Sequence, residues 1–182
     1  MMTRLTKHTI MDKVFLIIVA ASLAVGLTSC LKDDEHFVDF AGSGYVAEIP
    51  YVANRSIAKT VTVSAAAVSV AAPVDINIAS PNPPTQNIDV TVGIDQAALT
   101  AYNTAQKTAY KLLPATAFQL TAPTVTVTAG QRIATVTVNF VGTQVPATGG
   151  PYALPLTIQS ASNNVVISAN YRTQILIVSL TK

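Results

Sequence analysis

Cys30 is the only cysteine in the 182-residue chain, so any thiolate chemistry rests on that one residue. It closes Leu27-Thr28-Ser29-Cys30 at the end of an apolar run. The residues just ahead of it are small, and its place at the end of an apolar run favours lipidation over a free or intermolecularly paired thiol. Lys32-Asp33-Asp34-Glu35 and His36 follow directly. His36 is the one histidine after Cys30 and sits beside those acids, which leaves the rest of the chain without material for a His-centred triad or a His-rich metal site. Four carboxylates lie within residues 45–182, Glu48, Asp75, Asp89 and Asp95. Glycosidic hydrolysis needs two carboxyls at a set separation, one usually with a raised pKa. Asp75 and Asp89 alternate with apolar positions and are expected to face water, while Asp95 reads as a helix cap. No Gly-rich phosphate loop follows a strand. The reading is noncatalytic, with no catalytic residue, metal or cofactor.

Elements must position these groups, and the first is a leader. Arg4, Lys7 and Lys13 make a basic start, and Val14 to Thr28 carries no charge. Such a stretch spans about 22 Å as a helix, short of the roughly 30 Å hydrocarbon layer. Residues 1–29 therefore read as a signal peptide rather than a membrane span. Leu27 to Cys30 resembles a bacterial lipobox. That resemblance implies a diacylglyceryl group on Cys30, removal of the leader, and acylation of the new amine. Several acyl chains, at about 0.8 kcal/mol per buried methylene, make a stable anchor where one chain is marginal. Residues 30–44 read as a flexible acylated tether. Lys32, Asp33, Asp34 and Glu35 resemble the acidic signal that sends Bacteroidetes lipoproteins to the outer face of the outer membrane. The expected location is therefore the cell exterior, with the membrane as partner through Cys30.

Three of the eleven basic residues and one of the nine acidic residues precede Cys30, so the mature chain balances at zero side-chain charge. No basic stripe remains, which excludes nucleic acid as a partner. Residues 45–182 are of single-domain size and must be stabilised by packing alone, since they lack cysteine. Recurrent Thr, Val and Ala favour sheet over helix bundle.

Period-two segments recur between turn signals. Val74-Ile76-Ile78, Ile88-Val90-Val92, Val125-Val127 and Val136-Val138-Phe140 alternate with polar residues. Ile57 to Val63, Leu154 to Ile158 and Gln174 to Leu180 add three strands, the last apolar on both faces and so central. Pro155 cannot donate to a ladder, which predicts an edge strand or a bulge there. Breaks fall at Pro81-Asn82-Pro83-Pro84, Ala129-Gly130 and Gly149-Gly150-Pro151, and Asn163-Asn164 reads as a hairpin turn. About seven short strands at this spacing predict a mainly β, two-sheet sandwich over 45–182. One short helix begins after Asp95, with Leu99 and Tyr102 on one face. Leu112-Leu113-Pro114 is expected to stop it.

Val90-Thr91-Val92, Asp95, Ala101-Tyr102-Asn103, Tyr110-Lys111-Leu112-Leu113-Pro114, Ala129-Gly130 and Tyr152-Ala153-Leu154-Pro155-Leu156 occur in an order that resembles domain of unknown function 1735. This is a Bacteroidetes lipoprotein family, and the resemblance covers roughly Ile49 to Leu180. It implies an immunoglobulin-like sandwich, often N-terminal to hydrolase or carbohydrate-binding domains in surface glycan-utilisation systems. Glycans and outer-membrane transporter or hydrolase proteins are the implied partners. The resemblance brings no agreed catalytic residues to carry over. Sugar binding usually needs exposed aromatic faces, and the chain has no Trp. Tyr45, Tyr51, Tyr110, Tyr152 and Tyr171 are the candidates, each also readable as a core or strand-edge residue. The expected function is an accessory or glycan-binding surface module. The alternative is a structural subunit of a fimbrial or adhesive assembly, polymerising by strand donation.

Overall fold

Buried and exposed side chains alternate along most strands of the molecule, whose computed structural model describes residues 44–182. The expectations for the leader, Cys30, Lys32 to Glu35 and His36 lie outside the described residues. In chain order the elements are β1 (Val46–Glu48), α1 (Pro50–Asn54), β2 (Ala58–Ser64), β3 (Val70–Ala79), β4 (Ile88–Ile94), α2 (Gln96–Gln106) and β5 (Lys111–Leu112). There follow β6 (Phe118–Leu120), β7 (Thr124–Val127), β8 (Ile133–Phe140), β9 (Tyr152–Ala161), β10 (Val166–Ile167) and β11 (Thr173–Thr181). Short 3-10 turns precede β6 and follow β8.

The strands form two sheets. One runs β10-β1-β3-β8-β6, the other β2-β11-β9-β4-β7 with β5 added beside β9. The orders β1-β3-β8-β6 and β4-β9-β11 reproduce the A-B-E-D and C-F-G arrangement of an immunoglobulin sandwich. The first strand is divided between the sheets: β1 pairs with β3, and β2 runs parallel to β11 over seven register pairs from Ala58 to Ser64. Helix α1 makes the crossing. Pro50 opens it, where a missing N–H costs nothing.

Between the sheets lie Ile76 and Ile78 of β3, Val136, Val138 and Phe140 of β8, Leu154, Leu156 and Ile158 of β9, and Leu176 and Val178 of β11. Each large side chain fully buried there contributes roughly 1.5–3 kcal/mol. The seven predicted strands are all present. Four more, β1, β5, β6 and β10, bring the total to eleven among the described residues. Each of the four has two or three residues, too short to display a period. Helix α1 is a second helix where one was expected; its five residues likewise lack a repeat.

β11 is central, as its apolar run predicts. β9 is central too, so Pro155 does not mark an edge. Its carbonyl accepts from the Asp95 amide at 3.1 Å, placing its donorless side where β4 has already ended. The pairing of β9 with β4 does carry an irregularity, between Thr91 and Val92, which leaves Gln159 as the extra residue. Asp95 caps α2 by accepting from the Ala98 amide at 3.1 Å. The helix stops at Lys107, whose φ of 54° is left-handed, and not at Leu113-Pro114. Ala129-Gly130 turns with Gly130 at φ 80°, a conformation that favours glycine. Asn163 and Asn164 turn at φ 57° and 56°, but the strands they join pair in different sheets, so the turn is not a hairpin.

Candidate functional site

Two concavities are built from the loops and from α2. The first lies at the end of the sandwich where β3 finishes and β4 begins. Its 210 Å³ are lined by Tyr45, Thr85, Gln86, Ile88 and Asn163. Ile88 is buried and forms the apolar floor, whereas Thr85, Gln86 and Asn163 are exposed. Tyr45 is half-buried, packed against the core, and its carbonyl accepts from the Val166 amide at 3.0 Å. The loop after β3 is tied down at several points. The Arg132 guanidinium donates to the Ser80 carbonyl and, at 2.8 Å, to the Pro81 carbonyl. The Pro84 carbonyl accepts from the Gly130 amide at 2.8 Å. Asn163 donates from Nδ2 to the Asn87 carbonyl at 2.8 Å, joining the two loops of the rim.

The second concavity, of 360 Å³, is an open groove between α2 and the segment before β11. Ala98, Ala101, Tyr102 and Ala105 form its helical wall, with Ile57, Asn170 and Arg172 opposite. Helix α2 reaches this place because Leu99 packs with Ala153 and Ile175 on the outer side of the second sheet. Tyr102 and Tyr110 flank that cluster, ring centroids 6.2 Å apart and planes tilted by 39°. Burial, and next the neighbouring Tyr110, push the Tyr102 phenol above its ordinary value.

The five tyrosines named from sequence are placed separately. Tyr45 lines the first concavity. Tyr51 packs against the core, with the Lys59 ammonium 5.3 Å from its ring centroid. Tyr110 lies beside Tyr102 under α2. Tyr152 packs at the core margin, its hydroxyl donating to the Thr148 carbonyl at 3.2 Å. Tyr171 is 39% exposed, in the turn before β11, and its carbonyl accepts from the Ile49 amide at 2.8 Å. Thr85, Gln86, Asn163 and Tyr102 line the concavities without having been candidates. The polar Thr85-Gln86-Asn87 after a proline-rich turn was the available signal for the first, and the alanines around Tyr102 for the second.

The carboxylates serve structure. Asp75 accepts from the Thr135 hydroxyl at 2.7 Å and Asp89 from the Thr126 hydroxyl at 2.6 Å. Glu48 accepts from Asn77 Nδ2 at 3.0 Å, and Asp95 caps α2.

Fold and loops thus define a β-sandwich of immunoglobulin strand order. A family model whose description reads "-like, N-terminal domain" matches residues 43–165, and the chain belongs to that family of N-terminal domains. Its resemblance to domain of unknown function 1735 holds. A multidomain Bacteroides ovatus protein including that domain superposes with a TM-score of 0.56 at 16% identity, covering 75% of this chain and 45% of that one. A candidate carbohydrate-binding protein from Bacteroides ovatus gives a TM-score of 0.57 at 15% identity, over 73% of this chain and 36% of the other. EndoBT-3987 of Bacteroides thetaiotamicron, solved with a Man5GlcNAc product, gives 0.58 at 22% identity, over 74% and 30%. The chain spans about a third to a half of the length of these proteins, and the likeness is one of fold. No curated protein matches it.

Proposed function

We propose that this chain is a lipoprotein displayed on the outer membrane through acylated Cys30, whose sandwich is a noncatalytic accessory module in the capture of polysaccharide. The observation that carries the reading is the match of residues 43–165 to an N-terminal domain family. Proteins sharing the fold include one described by carbohydrate binding and one solved with a glycan product, which supports a glycan setting. The four acids of the sandwich, each engaged by a hydroxyl, an amide or a helix terminus, support an accessory rather than a hydrolytic role.

The test has three parts. Mass spectrometry of native protein should find a diacylglyceryl thioether and an acylated amine at Cys30. An impermeant reagent should label the protein on intact cells. Crosslinking on those cells should capture outer-membrane transporter or hydrolase proteins. An unmodified thiol overturns the anchoring, and protection from the reagent overturns the outward display. Polymers of the protein in surface extracts would favour the fimbrial alternative instead.

A further inference from the structure

We infer that the end pocket formed by Tyr45, Thr85, Gln86, Ile88 and Asn163 is a recognition site for a single neutral sugar unit of a glycan chain. The inference rests on the glycan-capture reading and assigns the contact to one place.

Its position is the first argument. The pocket lies between the β3–β4 loop and the turn that leaves β9, the equivalents of the B–C and F–G loops of an immunoglobulin sandwich. Those loops cluster at the end of the fold that variable domains use for binding. Loops on a rigid scaffold are where binding residues concentrate.

Chemistry is the second. A sugar ring offers weakly apolar C–H faces and a rim of hydroxyls that both donate and accept. The lining supplies a phenol, an isoleucine floor, one hydroxyl and two carboxamides. Carboxamides carry donors and acceptors side by side and so suit adjacent hydroxyls, while a tyrosine presents an apolar body with a polar tip. None of the five lining residues is Asp, Glu, Lys, Arg or His. A uronate or sulfated sugar would have no counter-charge in the pocket, which selects a neutral one. The volume of 210 Å³ lies below the roughly 300–1,000 Å³ of pockets for drug-sized ligands, which suits one ring rather than an extended chain.

Preorganisation is the third. Asn163 is fixed by its bond to the Asn87 carbonyl, and Asn87 Oδ1 accepts from the Ala129 amide at 2.9 Å. The Ser162–Val165 turn closes with a backbone bond of 3.2 Å, and Arg132 clamps the start of the opposite loop. A rim held this way loses little freedom when it binds, which is where affinity for a small ligand is gained. The groove beside α2 differs. Its lining also includes a phenol, an isoleucine, a hydroxyl and two carboxamides, but it opens more broadly and contains the cation Arg172.

Native affinity electrophoresis of the full protein, purified in detergent, tests the assignment. The gels contain starch, mannan, xylan or mixed-linkage β-glucan as neutral probes, and polygalacturonate or heparin as charged ones. At least one neutral probe should retard the protein. Tyr45→Ala and Gln86→Ala should each weaken the retardation constant at least tenfold, whereas Gln106→Ala and Arg172→Ala in the groove leave it unchanged. Gln86 is exposed, so its variant is expected to fold, and the melting temperature checks this. Retardation lost in the groove variants but kept in the pocket variants overturns this inference and leaves the glycan reading standing. Retardation by the charged probes alone also overturns it. Absence of retardation in every gel overturns the pocket, and the crosslinking of transporter or hydrolase proteins then decides the accessory reading separately.

Discussion

The Asn103 carboxamide and the Tyr110 backbone are joined twice. Nδ2 donates to the Tyr110 carbonyl at 2.8 Å, and Oδ1 accepts from the Tyr110 amide at 3.0 Å. Oδ1 also accepts from the Thr108 hydroxyl at 2.9 Å. The side chain therefore closes the loop behind α2 and sets Tyr110 against Tyr102. It also supplies a physical reason for two of the sequence segments that carry the family resemblance, Ala101-Tyr102-Asn103 and Tyr110-Lys111-Leu112. Replacing Asn103 by Ala leaves part-buried backbone groups without partners and should cost about 1–3 kcal/mol. Asn103→Asp keeps the acceptor, loses the donor, and should fall between. Urea unfolding followed by tyrosine near-ultraviolet circular dichroism measures both; an unchanged midpoint for Asn103→Ala would contradict the bracket.

Gln174 is 1% exposed on a strand whose same-facing neighbours Leu176 and Val178 enter the core, and its Nε2 makes no hydrogen bond among the described residues. A buried unsatisfied amide is costly, while an apolar group of similar shape is not. Gln174→Met should therefore raise stability by about 1–2 kcal/mol. A lowered denaturant midpoint would mean that the amide has a role in the fold which its surroundings do not reveal.

Gly142 is buried in the turn after β8, and a Cβ there would run into the Ser64 carbonyl oxygen. That carbonyl belongs to β2 and accepts from the Ala67 amide at 2.9 Å, so it cannot simply move aside. Gly142→Ala should destabilise by about 1–3 kcal/mol, as overpacked sites do. Gly44→Ala, with open space around it, serves as the neutral comparison in thermal unfolding.

Burial first, and Tyr110 second, raise the Tyr102 phenol above 10.0. The folded protein then holds this proton to a higher pH than the unfolded chain does. Its stabilising contribution is complete below about pH 10 and disappears as pH rises through the raised folded value. Stability should fall between about pH 10 and the raised folded value, and less steeply in Tyr102→Phe. Ultraviolet titration should show one tyrosinate fewer in the late phase of the variant. Identical alkaline profiles for the two proteins would contradict the assignment.

Strands long enough to show alternation were legible as residues: the seven predicted segments are β2, β3, β4, β7, β8, β9 and β11. Asp95 was legible as a cap because its chemistry is local. What escaped depends on distant partners. β10 exists because Val166 and Ile167 meet β1, and β6 because Phe118 to Leu120 meet β8, facts of topology without a local signature. Pro155 misled because the rule concerns its missing donor, and here that donor faces a place where the neighbouring strand has ended. Of the end pocket, only Tyr45 was visible as a candidate. Thr85 and Asn163 are 78 positions apart in the chain, and only the strand order makes them neighbours.

β2 and β11 lie parallel over seven register pairs, with Tyr45 at one end of the sandwich and the finish of β11 at the other. Tension applied between Tyr45 and Lys182 would pull β2 and β11 lengthwise in opposite directions. Their evenly spaced bonds would then resist together, in shear, instead of opening one after another like a zip. Such a pairing would resist a lengthwise pull applied through the two ends of the described chain.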